Sequence, residues 1–197
     1  MGKKLDAARV ALQYAKDGVE EMKHAEDHGN FARAWIEILG HLTRVWNKTE
    51  SALKGDPKFY NSPITKRVIE QRKTDELLVY LIQARNADEH GVESLTESRR
   101  GGYGISPANP GKPLIINSAK IRNGRLVEFD SPTEVSVKII PPKTIALPVK
   151  NRGKIYVPPT SHLGSSVSDA SLIDLATLGI IYYEQVFKEL EAAGWDQ

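Results

Sequence analysis

The sequence predicts a mainly helical α+β protein, in which a four-helix up-down bundle carries a small antiparallel β-subdomain between its third and fourth helices. Three observations carry that prediction. Apolar residues recur at alternating three- and four-residue steps over residues 5–85 and again from Ser168, the spacing that places one stripe along one helix face. Between those segments, β-branched runs flank turn dipeptides such as Asn123-Gly124, a hairpin signature. The same stretch is set apart by charge. Residues 103–160 hold nine Lys/Arg against three Asp/Glu, +6 in a chain whose net charge is +2.

The first helix is predicted from Leu5, Ala8, Leu12, Ala15, Val19 and Met22, and it ends at "HAEDHGN". Gly29 and Asn30 are the expected turn. A second stripe follows through Phe31, Trp35, Ile38, Leu42, Val45, Trp46, Thr49 and Leu53; so short a connection implies an antiparallel helical hairpin. "KGDPKFYNSP" interrupts the pattern. Ser62 is placed as an N-cap and Pro63 at the first helical position, where its missing amide hydrogen costs nothing. One third helix is expected, from Ile64, Val68 and Ile69 across a polar middle to Leu77, Leu78, Leu81, Ile82 and Arg85, stopping near Gly91. "VESLTESRR" is expected to add another turn or two.

"GGYGISPANPGKP", residues 101–113, reads as a Gly/Pro-rich linker. Beyond it the period changes to that of strands. "LIINSAKIRNGRLVEF" predicts a hairpin about Asn123-Gly124, both of whose positions need positive φ. "EVSVKII", "TIALPV" and "KIYV" predict further short strands, and Pro148 assigns one of them to an edge. Helical spacing returns through Leu172, Leu175, Ala176, Gly179, Tyr183, Val186, Phe187 and Leu190. A fourth helix closing on the others buries stripes that would otherwise stay exposed. The expected domains are a bundle over 1–100 and 168–197 and a β-rich insertion over 101–167.

A chain of 197 residues buries a core without disulfides or a metal. It has no cysteine, which excludes disulfide frameworks, thiolate zinc sites and cysteine nucleophiles and suits a reducing compartment. No apolar run approaches the roughly 18 residues of a membrane span, and "MGKKLDAARVALQ" lacks a signal core. A cytoplasmic, unprocessed protein with no membrane association is therefore expected. GxxxxGK[ST], GxGxxG, HExxH and GxSxG are all absent, so those nucleotide-binding and hydrolytic classes have no motif here.

Polar clusters remain as candidates. His24 and His28 stand four apart near Glu20, Glu21 and Asp27. That spacing can share a metal, in which case the protein is a metal-dependent hydrolase, but the helix dipole also favours histidine in a last turn; no metal and no cofactor is assigned. His41 and His162 are lone histidines, read as structural or solvated. The basic stretch fits a polyanion, and it equally fits exposed strands that carry lysine for solubility and edge protection.

The remaining cluster is "RNADEH", Arg85 to His90. It resembles the RxxxxH signature of the HEPN family, in which the residue after the arginine is typically Asn, Asp or His; here it is Asn86. The resemblance implies a four- or five-helix domain with the motif at a helix end, and a metal-independent RNase acting as a homodimer, toxin- or phage-defence-like, with a cognate antitoxin or other protein as a further expected partner. It assigns Arg85, Asn86 and His90 to catalysis on RNA. Arg99, Arg100 and Tyr103 are further candidates, as cations and a stacking aromatic for single-stranded RNA. Strand-rich insertions are not part of the core family pattern.

Other readings of the same residues stay open. Arg85 and Glu89 are four apart, which suits an intrahelical ion pair worth a few tenths of a kcal/mol, with His90 stabilising the helix end through the dipole. At about 100° per residue, Arg85 and His90 lie about 140° apart around an ideal helix, whereas Asn86 and His90 share a face. Bringing the arginine and histidine together needs either an unwound helix end or the motif of a second subunit. An arginine on the Leu78–Leu81–Ile82 side also needs a carboxylate or phosphate partner, because a buried unpaired guanidinium is costly. The alternative function is a non-catalytic helical module that binds a protein or RNA partner through the basic β insertion.

Overall fold

A computed structural model describes residues 4–91, 93–168 and 170–196, with His90 described by its backbone alone. In chain order the elements are α1 (Asp6–His24), α2 (His28–Leu53), α3 (Pro63–Thr74), α4 (Glu76–His90), β1 (Thr96–Arg99), β2 (Gly102–Pro107), β3 (Ser118–Arg122), β4 (Arg125–Asp130), β5 (Val135–Ile140), β6 (Lys143–Ala146), β7 (Val149–Asn151), β8 (Lys154–Tyr156), β9 (Ser161–His162), β10 (Ser165–Ser166) and α5 (Leu172–Ala192). The protein is thus α+β. The strands pair two by two, β1 with β6, β2 with β5, β3 with β4, β7 with β8 and β9 with β10.

The chain divides into two compact units, Met1–Glu97 with Thr144–Gln197, and Ser98–Lys143. The first holds the helices. Its core is built from the predicted stripes: Leu5, Ala8, Leu12, Ala15, Val19 and Met22 at α1, Trp35, Ile38, Leu42, Val45 and Leu53 on α2, and Leu172, Leu175, Ala176, Tyr183, Val186, Phe187 and Leu190 on α5 are all buried. Gly179 lets α5 approach closely, since a Cβ there would sit 2.9 Å from Leu81 Cδ1 and 3.1 Å from Leu42 Cδ1. The predicted strand-rich stretch, 101–167, is divided between the two units. Residues 98–143 stand as a unit of their own, while β7 to β10 lie with the helices.

Four local differences from the sequence expectation have physical causes. Five helices replace four among the described residues, because the expected third helix breaks at Asp75. Asp75 is extended and its carboxylate accepts the Leu78 amide hydrogen at 3.0 Å, so it caps a new helix. The α1–α2 turn lies at Ala25–Asp27 instead of Gly29-Asn30; the Asp27 carboxylate accepts the Asn30 amide hydrogen at 2.7 Å and draws Gly29 and Asn30 into the first turn of α2. "VESLTESRR" yields β1 in place of more helix, and the Gly/Pro-rich linker yields β2. Pairing with β5 supplies β2 with backbone partners that the isolated segment lacks. Close approach explains a glycine beside it: a Cβ on Gly101 would meet the Ile140 carbonyl oxygen at 2.6 Å.

The hairpin at Asn123-Gly124 forms as predicted, with φ of 48° and 74°. Arg152-Gly153 and Leu163-Gly164 repeat the same two-residue conformation at the β7–β8 and β9–β10 turns. Pro148 lies between β6 and β7, so it ends one strand and needs no ladder hydrogen bond.

Candidate functional site

The helix that carries "RNADEH" is α4, and the returning chain straps it along its length. The Tyr80 hydroxyl donates to the Leu147 carbonyl at 2.7 Å, and Asn151 Nδ2 donates to Gln83 Oε1 at 2.7 Å. At the helix start, Glu76 Oε2 accepts from the Thr160 and Ser161 amides and from the Thr160 hydroxyl. These bonds, first among them that from the Thr160 amide, hold the Glu76 carboxyl below its usual range. Asp75 accepts the His162 Nδ1 hydrogen at 2.9 Å and the Leu163 amide at 2.7 Å. Burial opposes charge on Asp75, but the hydrogen bonds from His162, Leu163 and Leu78 outweigh it and keep this carboxyl below the ordinary value.

At the other end of α4, Ala84 and Ala87 are buried, and their small side chains seat the helix. Arg85 and Asn86 occupy the half-buried flank. Arg85 Nη1 donates to Asn86 Oδ1 at 3.2 Å, and Nη2 pairs with the Glu89 carboxylate one turn on. The Arg85 side chain is 32% exposed and that of Glu89 44%. The arginine therefore has the carboxylate partner its position calls for, in a pair open to solvent. The His90 side chain lies outside the described residues.

Two hollows flank this helix end. One, of about 260 Å³, is lined by Ala87, Gly91, Glu93, Ser94, Leu95, Pro148, Val149 and Lys150. The other, of about 290 Å³, is lined by Ala32, Trp35 and Ile36 of α2 with Asp88, Gly91 and Glu93 to Thr96. Neither lining includes Arg85 or Asn86. The charges on this helix end and in the two hollows are mixed, Arg85 and Lys150 standing against Asp88, Glu89 and Glu93.

Of the six predicted site residues, Arg85 and Asn86 are brought into direct contact. Arg99, Arg100 and Tyr103 belong to the unit Ser98–Lys143. Arg99 and Arg100 are exposed. The Tyr103 hydroxyl donates to the Gly124 carbonyl at 2.9 Å and accepts the Leu126 amide hydrogen at 3.0 Å, so it fastens β2 to the β3–β4 hairpin. His24 Nδ1 donates to the Glu20 carbonyl, and His28 Nε2 lies 3.2 Å from Thr96 Oγ1. Among the described residues no group of three or more His, Asp or Glu is placed to hold a metal ion.

Two polar features are not apparent from the sequence pattern alone. His162, read as lone, is a buried partner of Asp75, and its ring meets that of Tyr182 with centroids 6.1 Å apart. Tyr182 donates to Gln71 Oε1 at 3.0 Å, while Arg72 donates to the Tyr183 hydroxyl and lies 5.6 Å from the Trp46 ring centroid. Asp75 was findable as an N-cap, standing directly before the "ELL" that opens an apolar run; its partner lies 87 residues away. His41 packs on the Tyr14 ring, and burial, with Arg44, lowers its pKa.

Among the described residues no helix is long and apolar enough to cross a membrane. No protein-family model, no curated protein and no solved structure matches the chain.

Proposed function

We propose that the chain is a metal-independent endoribonuclease of the HEPN type, toxin- or phage-defence-like, acting on RNA as a homodimer. One observation carries the reading: Arg85 and Asn86 stand hydrogen-bonded together on the half-buried flank near the end of α4, where Arg85 pairs with the exposed carboxylate of Glu89. An exposed i,i+4 pair contributes about 0.3–0.5 kcal/mol, so an RNA phosphate displaces the carboxylate at little cost and gains the planar two-pronged fit of guanidinium to phosphate.

The chemistry is transesterification. The 2′-oxygen attacks the adjacent phosphorus, its proton passes to a base, and the bond from phosphorus to the 5′-oxygen breaks, leaving a 2′,3′-cyclic phosphate and a 5′-hydroxyl. Arg85 offsets the charge that builds on the non-bridging oxygens. His90 supplies the proton to the leaving oxygen, a role suited to imidazole near neutral pH. Asn86, one helical turn before His90, orients it. Because Arg85 and His90 project about 140° apart on one helix, the arginine of one subunit serves the histidine of its neighbour.

Cleavage assays in EDTA test this. Wild type cuts single-stranded RNA, whereas folded Arg85→Ala and His90→Ala each lose at least about 100-fold. Mixing the two inactive variants restores part of the activity through hybrid dimers carrying one intact composite site. Equal inactivity of all three proteins favours the non-catalytic binding module, and loss of wild-type activity in EDTA favours a metal-dependent hydrolase.

A further inference from the structure

The unit Ser98–Lys143 is unusual in having no buried residue at all. Its two sheets have two strands each, β2 with β5 and β3 with β4. Two-stranded sheets are marginal in water; a third strand or a packed face is ordinarily needed for independent stability. Yet this unit turns aliphatic side chains outward: Ile121 is 58% exposed, Val127 54%, Val137 45%, Ile139 71% and Ile140 49%. Such a concentration of exposed β-branched residues marks an interaction surface.

β5 is exposed at every residue from Ser136 to Ile140. Among the described residues it pairs with β2 alone, in the register Tyr103 with Ile139, Gly104 with Lys138 and Ile105 with Val137. Alternation along the strand puts Val135, Val137 and Ile139 on one face, together with Tyr103 and Ile105 of β2, and Ser136, Lys138 and Ile140 on the other. The edge away from β2 presents the backbone N–H and C=O groups of alternate residues, the template for strand addition. Charge selects the occupant. Residues 98–143 hold eight Lys/Arg against three Asp/Glu, +5, so a second copy of this unit is repelled and an acidic chain is attracted. Base stacking needs exposed aromatic faces, whereas the outward residues here are aliphatic, and Tyr103 and Phe129 are half-buried. These features favour polypeptide over nucleic acid.

We propose that β5 is a docking edge for an extended acidic polypeptide segment of another protein. The segment adds as a third strand beside β5, its apolar residues covering Val137 and Ile139 and its carboxylates facing Lys138. This is independent of RNA cleavage at α4.

The test uses the full chain and a capped peptide of alternating valine and glutamate, followed by fluorescence anisotropy and by hydrogen exchange of the 135–140 amides. The peptide binds with a Kd below about 100 µM and protects alternate β5 amides. Lys138→Glu weakens binding at least about ten-fold, Lys138→Gln weakens it by a smaller factor, and a valine–lysine peptide does not bind. Two further peptides are N-methylated, one at the valine amides and one at the glutamate amides; one loses binding and the other keeps it, because a single edge is paired. Retention by both, or no binding of the unmethylated peptide to either wild type or Lys138→Gln, overturns the proposal. So does protection of the same amides by a single-stranded oligoribonucleotide in place of the peptide, or protection of these amides in the chain alone that rises with its concentration.

Discussion

Replacing Asp75 by alanine perturbs the point where the returning chain is fixed to α4. Three hydrogen bonds converge on this carboxylate, from Leu78 N at 3.0 Å, His162 Nδ1 at 2.9 Å and Leu163 N at 2.7 Å. The Asp75 and His162 side chains are 7% and 9% exposed, so solvent does not replace the lost partner. Loss of an N-cap costs about 1 kcal/mol. Orphaning a buried donor that had bonded to a charged group costs about 1.5–3 kcal/mol. Part of this is offset because a buried charge is also removed, which leaves a net loss of about 3 kcal/mol. At this chain length that lowers Tm by about 6–12 °C. Asp75→Asn keeps an acceptor for the helix cap and for His162 and loses about 1 kcal/mol. Urea denaturation with an unchanged m-value measures both. A loss below about 1 kcal/mol for the alanine variant refutes the reasoning, since it means that the cap and the His162 latch contribute no more than an ordinary surface contact. The pH dependence has a definite sign. The folded-state pKa of Asp75 lies below its unfolded value, so its contribution is complete above about pH 4, is lost as pH falls through the depressed folded value, and is missing from Asp75→Asn.

Three further outcomes follow from named contacts. Arg85→Ala changes stability by no more than about 0.5 kcal/mol in denaturation, because its pair with Glu89 is exposed; a larger loss makes the arginine a structural residue. Tyr103→Phe removes the hydroxyl that joins Gly124 and Leu126, so hydrogen exchange at Leu126 quickens about ten-fold, equivalent to about 1.4 kcal/mol. Leu163 holds φ of 48° on an exposed turn; Leu163→Asn, better suited to that conformation, stabilises by about 0.5–1 kcal/mol in the same denaturation assay.

The helical stripes were legible in the sequence because burial acts on every third or fourth side chain, and Leu12, Trp35 and Leu175 sit where that spacing puts them. Asn123-Gly124 was legible because its positive φ values are a local requirement. What escaped was in part a local cap masked by the stripe and in part dependent on partners distant in the chain. The hydrophobic stripe runs across Asp75 without marking the break, and β2 is a strand only because β5 lies beside it. In the candidate site, the contact of Arg85 with Asn86 and Glu89 follows from helical spacing. The assignment of Tyr103 to fastening a hairpin does not, since Gly124 is 21 residues away.

The most direct measurement is end-group analysis of a single-stranded RNA after incubation with the wild-type protein in EDTA. A cut by 2′-hydroxyl attack leaves a 2′,3′-cyclic phosphate on one fragment and a 5′-hydroxyl on the other. Intact RNA from folded, dimeric protein, or fragments carrying 5′-phosphates, contradicts the assignment of Arg85 and His90 to this chemistry.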